Sequence, residues 1–189
     1  MDPSSQPVSA QQAINATLRW LERAVIGLNL CPFAKAPHIK GRIRIVACIE
    51  TDIHAWLNAL TQELQDLVQC QPSERETTLL VIPNALRDFA EFNDCLEDAD
   101  LALQDLDLEG VIQIASFHPQ YQFAGTQPDD ITNYTNRSPY PVLHLIREES
   151  IDRAVAVYPH AEAIYEANIR TLRDLGIEGW SALDVGPPA

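Results

Sequence analysis

Two kinds of apolar periodicity alternate along this chain, and that alternation restricts its fold more than any other feature. A helical stripe of Ile14, Leu18, Leu21, Val25 and Leu28 predicts a helix over about 10–28, opened by Ser9-Ala10-Gln11-Gln12 as a capping box and ended near Pro32. Residues 42–49 then read as a strand. Thr51 suits the cap of a second helix whose Trp56, Leu57, Leu60, Leu64, Leu67 and Val68 face a core. Residues 77–82 form a buried strand, and Pro83-Asn84 open an acidic helix that stops near Gly110. Residues 111–117 and 142–147 read as the third and fourth strands. Ser150 reads as the cap of a short helix, Pro159 as a first-turn residue of a last helix to about Leu175, and Gly176 as its C-cap. Strands separated by helical crossovers tend to lie parallel, so the expectation is an α/β fold, with α+β as the alternative. Its helices would pack on a mixed sheet of about four strands in a single compact domain. The expected boundaries are a flexible N-terminus over 1–8, a globular domain over 9–180 and a C-terminal tail over 181–189.

The length, 189 residues, suits one domain of roughly 150 residues, and the net charge of −14 removes two classes of partner. Nucleic acid and anionic membrane surfaces attract basic proteins, so neither is expected here. The N-terminus lacks the basic and apolar regions of a signal peptide, and no apolar run approaches the ~20 residues that span a bilayer, which places the protein in the cytoplasm. Cys31, Cys48, Cys70 and Cys95 are far apart with no C-x-x-C pair, so four reduced thiols are expected. The charge is also uneven. Residues 88–136 carry eleven acids and no cation, most of them between Asp88 and Glu109 where Phe89, Phe92, Leu96, Leu103 and Leu106 recur at helical spacing. A solvated helix face is the plain reading; a surface for a basic protein partner is the sharper one.

The exception to the alternation lies between His118 and Pro141, more than twenty residues with little periodicity and no crossover helix. Long ordered loops in compact domains commonly serve a site, and a loop without a helix allows the fourth strand to return antiparallel to the third. That return would bring Arg137, Tyr140 and His144 towards His118. His118 stands where a strand ends and is the candidate proton-transfer residue or metal ligand. Arg137, the first cation in forty-nine residues, can hold a carboxylate or phosphate through its planar fork, or pin the loop by pairing with Asp129 or Asp130. Asn133 and Tyr140 are candidates to orient the same anion. His144 shares a strand face with Val142 and Ile146, which favours a core histidine over a second metal ligand.

Gly27-Leu28-Asn29-Leu30-Cys31-Pro32-Phe33-Ala34-Lys35 is the other segment of interest. Six cations and only Glu22 fall between Arg19 and Arg44, a local basicity that can support an anionic substrate at Lys35 or a thiolate at Cys31. Against this, the carbonyls at a helix C-terminus disfavour a thiolate, and many cysteines are simply core. Two histidines with a thiol or carboxylate can bind a divalent metal such as zinc or iron, although no H-E-x-x-H spacing marks one. G-x-G-x-x-G, Walker and G-x-S-x-G motifs are absent.

The phrases Gly27 to Ala34, Ser116-Phe117-His118-Pro119 with Tyr121 and Phe123, and Asn133 through Arg137-Ser138-Pro139-Tyr140-Pro141 to His144, Arg147 and Glu148 are distinctive together. In that combination the chain resembles a bacterial family catalogued as domain of unknown function fourteen-fifteen, from the first helix to about Leu175. The resemblance implies a cytosolic bacterial protein consisting of this one domain, and it brings no catalytic residues with it. From the residues themselves, the leading expectation is a small-molecule enzyme, a hydrolase or group transferase acting on an anionic metabolite. Its pocket would lie between the His118–Pro141 loop and the Cys31 turn. A noncatalytic adaptor using the acidic helix, and a thiol-based redox protein centred on Cys31, are the alternatives.

Overall fold

A computed structural model describes residues 7–157 and 162–186. Helix α1 (Ala10–Trp20) opens on the expected capping box: Ser9 Oγ accepts from the backbone of Gln12, whose side chain in turn accepts from the Ser9 backbone. It continues as a π-helical turn over Leu21–Ile26. The remaining elements in order are α2 (Lys35–Ile39), β1 (Ile43–Ala47), α3 (Ile53–Gln69), β2 (Thr77–Val81), α4 (Phe89–Asp94), α5 (Leu96–Asp105), β3 (Ile112–Phe117), β4 (Val142–Arg147), α6 (Glu148–Val157) and α7 (Glu162–Ala182). A single 3₁₀ turn, Ile131–Thr135, interrupts the loop between β3 and β4.

The four strands form one mixed sheet in the order β1-β2-β4-β3. β1 and β2 are parallel, as a helical crossover dictates, while β4 runs antiparallel to both β2 and β3. The fourth strand thus returns antiparallel across the helix-free loop. Because side chains alternate, the register sorts every strand residue onto one of two faces. Ile45, Leu79, His144 and Ala115 stand in one row on the face that α1 covers. Val46, Leu80, Leu143 and Ser116 form the corresponding row on the face beneath α3 and α5.

The α3 face is packed closely. Trp56, Leu60, Leu64 and Leu67 of α3 meet Leu80, Leu143, Leu145 and Ile112 of the sheet, all buried. Arg147, at the end of β4, donates to the carbonyls of Leu67, Cys70 and Arg75, so one buried guanidinium serves carbonyls at the C-terminal end of α3. Glu63 is held by both nitrogens of an Arg44 fork at 2.8 Å and by Arg75 at 3.4 Å. On the other face, Ala13, Ala16, Trp20, Leu21 and Ala24 cover Leu79, Val81 and Val142, with Tyr140 and Val185 completing the cluster.

Several element boundaries depart from the sequence reading. The cap of α3 is Asp52, whose carboxylate accepts from His54 N at 2.7 Å, one residue beyond Thr51. The acidic helix begins at Phe89, because Leu86 takes a left-handed backbone (φ 53°) that ends any helix from Pro83; Asp88 caps it instead. Asn84 is drawn off to bond Val8 N and the carbonyls of Val8 and Ile49. Cys95 then divides the acidic segment into α4 and α5. α6 starts at Glu148 directly from β4, so Ser150 is interior and its hydroxyl accepts from Arg153. Gly176 is left-handed (φ 66°) but kinks α7 rather than ending it. Pro159 lies outside the described residues.

Candidate functional site

The long loop packs Phe123 and Tyr134 against Tyr165 and Trp180 of α7, and neighbouring backbone and core groups consume the side chains expected to bind a ligand. His118 is fully buried, its ring between Phe89 and Phe92 with centroids 5.3 and 5.1 Å away. Its Nδ1 accepts from Gln120 N at 3.0 Å, so Nε2 carries the proton and donates to the Leu86 carbonyl at 3.1 Å. Burial lowers its pKa, and both nitrogens serve the backbone. Arg137 donates to the carbonyls of Tyr121 and Pro128 and stacks 4.4 Å from the Tyr134 ring centroid. It pins the loop, but through carbonyls rather than through Asp129 or Asp130; Asp130 caps the 3₁₀ turn by accepting from Thr132. Asn133 is fully buried, accepting from Phe123 N and Thr126 Oγ1 and donating to Gln127 O. Tyr140 belongs to the core on the α1 face, and burial raises its phenol pKa. Lys35 is exposed at the start of α2.

These positions correct the expected shared cleft. His118 packs among the α3-face residues and His144 stands on the α1 face, so the sheet separates the two histidines offered as metal ligands. Among the described residues no group of three or more His, Cys, Asp or Glu side chains is placed to hold a metal.

Two of the expected residues, Cys31 and His144, do meet at one site. α1 and its π turn cover only part of their sheet face. Over the remainder lies a cavity of about 690 Å³, within the range of small-molecule sites. Its floor is Ile43, Thr77, Leu79, His144 and Ile146; Trp20, Leu21, Val25 and Phe117 form one wall; Cys31 to Ala34 and Pro37 form another; α6 contributes Ile151, Ala154 and Val155. The π turn follows Trp20 and carries Leu21 and Val25 to this wall. Both Leu30 N and Cys31 N donate to the Val25 carbonyl, which bends the chain sharply into the second wall. A smaller hollow of about 270 Å³ lies near Thr51, Leu86, Arg87 and Glu91.

The cavity's polar groups are few and defined. Thr77 Oγ1 donates to the Leu145 carbonyl at 2.5 Å and lies 2.7 Å from His144 Nε2. The one hydroxyl proton is committed to that carbonyl, so Nε2 carries hydrogen and Nδ1 keeps its lone pair. Nδ1 has no partner among the described residues, nor is it one of their sealed orphan atoms, so its edge opens above the sheet. Burial holds the imidazole pKa down to about 4, leaving it neutral near pH 7. Burial also raises the Cys31 thiol pKa, although hydrogen bonds from Phe33 and Ala34 act the other way. At the rim Glu76 lies between Arg42 (4.0 Å) and Arg153 (3.9 Å), while Lys40 pairs with no acid among the described residues.

Sequence reasoning missed most of this site. The alternation Val142, His144, Ile146 does put the histidine on one face, but nothing local reveals that α1 stops short of covering it.

Fold and cavity together define a mixed-sheet α/β protein with an apolar chamber on its half-covered face. The chain belongs to the family described as Protein of unknown function (DUF1415), whose model matches residues 12–182. No curated protein and no solved structure matches it. Among the described residues no helix is long and apolar enough to cross a membrane.

Proposed function

We propose that the protein binds a small, largely apolar molecule in the cavity over β1, β2 and β4, with His144 as its polar anchor. The observation that carries this reading is the open stretch of sheet itself. Ile43, Ile146 and Phe117 would ordinarily be covered by a helix, and instead they line about 690 Å³ of space with an acceptor nitrogen at its floor. In this reading His118, Arg137, Asn133 and Tyr140 are scaffold for the β3–β4 loop. Cys31 contributes surface, because a thiol whose pKa is raised stays protonated at neutral pH and is a poor nucleophile. Binding, rather than hydrolysis or group transfer, is the activity these groups support.

The test is titration with 8-anilinonaphthalene-1-sulfonate, an aromatic anion that fluoresces in apolar surroundings. Saturable one-to-one binding is expected to the folded wild-type protein. Ala154→Trp, which fills the cavity from α6, is expected to weaken it at least tenfold with near-ultraviolet circular dichroism retained. Equal binding by the two folded proteins, or none by either, overturns the proposal.

A further inference from the structure

We infer that the cavity's ligand is a flat aromatic acid with an O–H or N–H donor on its body: the donor meets His144 Nδ1 and the acid faces Lys40. This rests on the small-molecule reading of the same cavity. The donor requirement follows from Thr77: by spending its proton on the Leu145 carbonyl it fixes His144 as a donor at Nε2 and an acceptor at Nδ1. An acceptor at the floor of an apolar chamber loses free energy when covered by a group that cannot donate, so it selects against ligands without O–H or N–H. The flat shape follows from the rings of Trp20, Phe33 and Phe117 along the walls. The charge follows from the rim. Arg42 pairs with Glu76 and Arg153 with both Glu76 and Glu149, which leaves the Lys40 ammonium at the mouth as a cation with no acidic partner among the described residues, in a chain whose net charge is −14. A single cation against that background gives an anionic ligand a preferred end.

Matched probes test this: 6-hydroxy-2-naphthoate, 6-methoxy-2-naphthoate and neutral 2-naphthol, each measured by displacement of anilinonaphthalene sulfonate. In the wild-type protein the hydroxy acid is expected to bind at least tenfold more tightly than the methoxy acid. His144→Phe is expected to abolish that preference, and Lys40→Gln to weaken both acids severalfold while leaving 2-naphthol unchanged. Equal affinities for the two acids in wild type, with anilinonaphthalene sulfonate still bound, overturn the donor inference alone. An unchanged Lys40→Gln overturns the charge assignment. Loss of all binding, anilinonaphthalene sulfonate included, removes the cavity reading and this inference with it. If His144→Phe does not fold, the ¹⁵N shift of His144 Nδ1 in wild type decides: it should move with the hydroxy acid and stay with the methoxy acid, and a static signal overturns the inference.

Discussion

The two faces of the sheet differ in how completely they are covered, and the proposed function rests on that difference. Beneath α3 and α5 the packing is continuous: Trp56, Leu60, Leu64, Phe92 and Leu143 are almost without exposure, and even the charged groups there, Glu63 and Arg147, have several partners each. Across the sheet, α1 covers Leu79 and Val81 but leaves Ile43, His144 and Ile146 beside open space. A side chain on the packed face is expected to give up stability when it is altered, and one beside the cavity, under the proposed reading, ligand contact.

The largest expected contrast is in stability. Phe92→Ala removes a ring fully enclosed between α4 and the sheet and should cost about 4 kcal/mol in urea unfolding. Phe117→Ala, whose ring packs on Trp20 at 5.2 Å but also borders the cavity, should cost no more than about 2 kcal/mol. Equal losses would erase the distinction between the faces.

Next comes pH. His144 titrates at about 4 in the fold and near 6.5 when unfolded, so between those values the unfolded chain binds the extra proton. Its contribution is complete above about pH 6.5 and is lost as the pH falls towards 4, by up to ~3 kcal/mol. The buried His118 acts in the same direction. His144→Asn should flatten the stability profile in that window, as equilibrium unfolding at stepped pH would show; an unaltered slope would mean that other groups set it.

A smaller effect is expected in the loop. Arg137→Ala removes the bonds to Tyr121 and Pro128 carbonyls and the stacking on Tyr134, which together should cost about 1–2 kcal/mol and speed proteolysis between Gln120 and Pro128. Ligand affinity should stay within twofold of wild type if the loop is scaffold. Least of all, Lys35→Ala at an exposed site should change stability by less than about 0.5 kcal/mol and probe binding not at all.

Much of the architecture was legible in the chain because periodicity reports on local geometry. The capping box at Ser9, the four strands and the antiparallel return of β4 all follow from pattern and connection length. The site was legible only in fragments. His118 was recognisable as a functional residue type, but its enclosure depends on Phe89 and Phe92, more than twenty-five residues earlier, and on a carbonyl at Leu86. Arg137 lost its anion for a related reason: its partners are backbone carbonyls, which no side-chain pattern records. The helix boundaries near Leu86 and Gly176 were missed because a left-handed residue does not by itself say whether the chain stops or resumes.

The π turn at Leu21–Ile26 has one more consequence. Such a turn accommodates an additional residue within what would otherwise be an unbroken α-helix. Wound instead as an ordinary α-helix over the same six residues, the stretch would turn everything downstream by about 100° further around the helix axis. Val25 and the bend that follows it would then address a different part of the protein. The chamber is thus a product of helical phase: one of its walls depends on how Leu21–Ile26 winds, and on no residue of its floor.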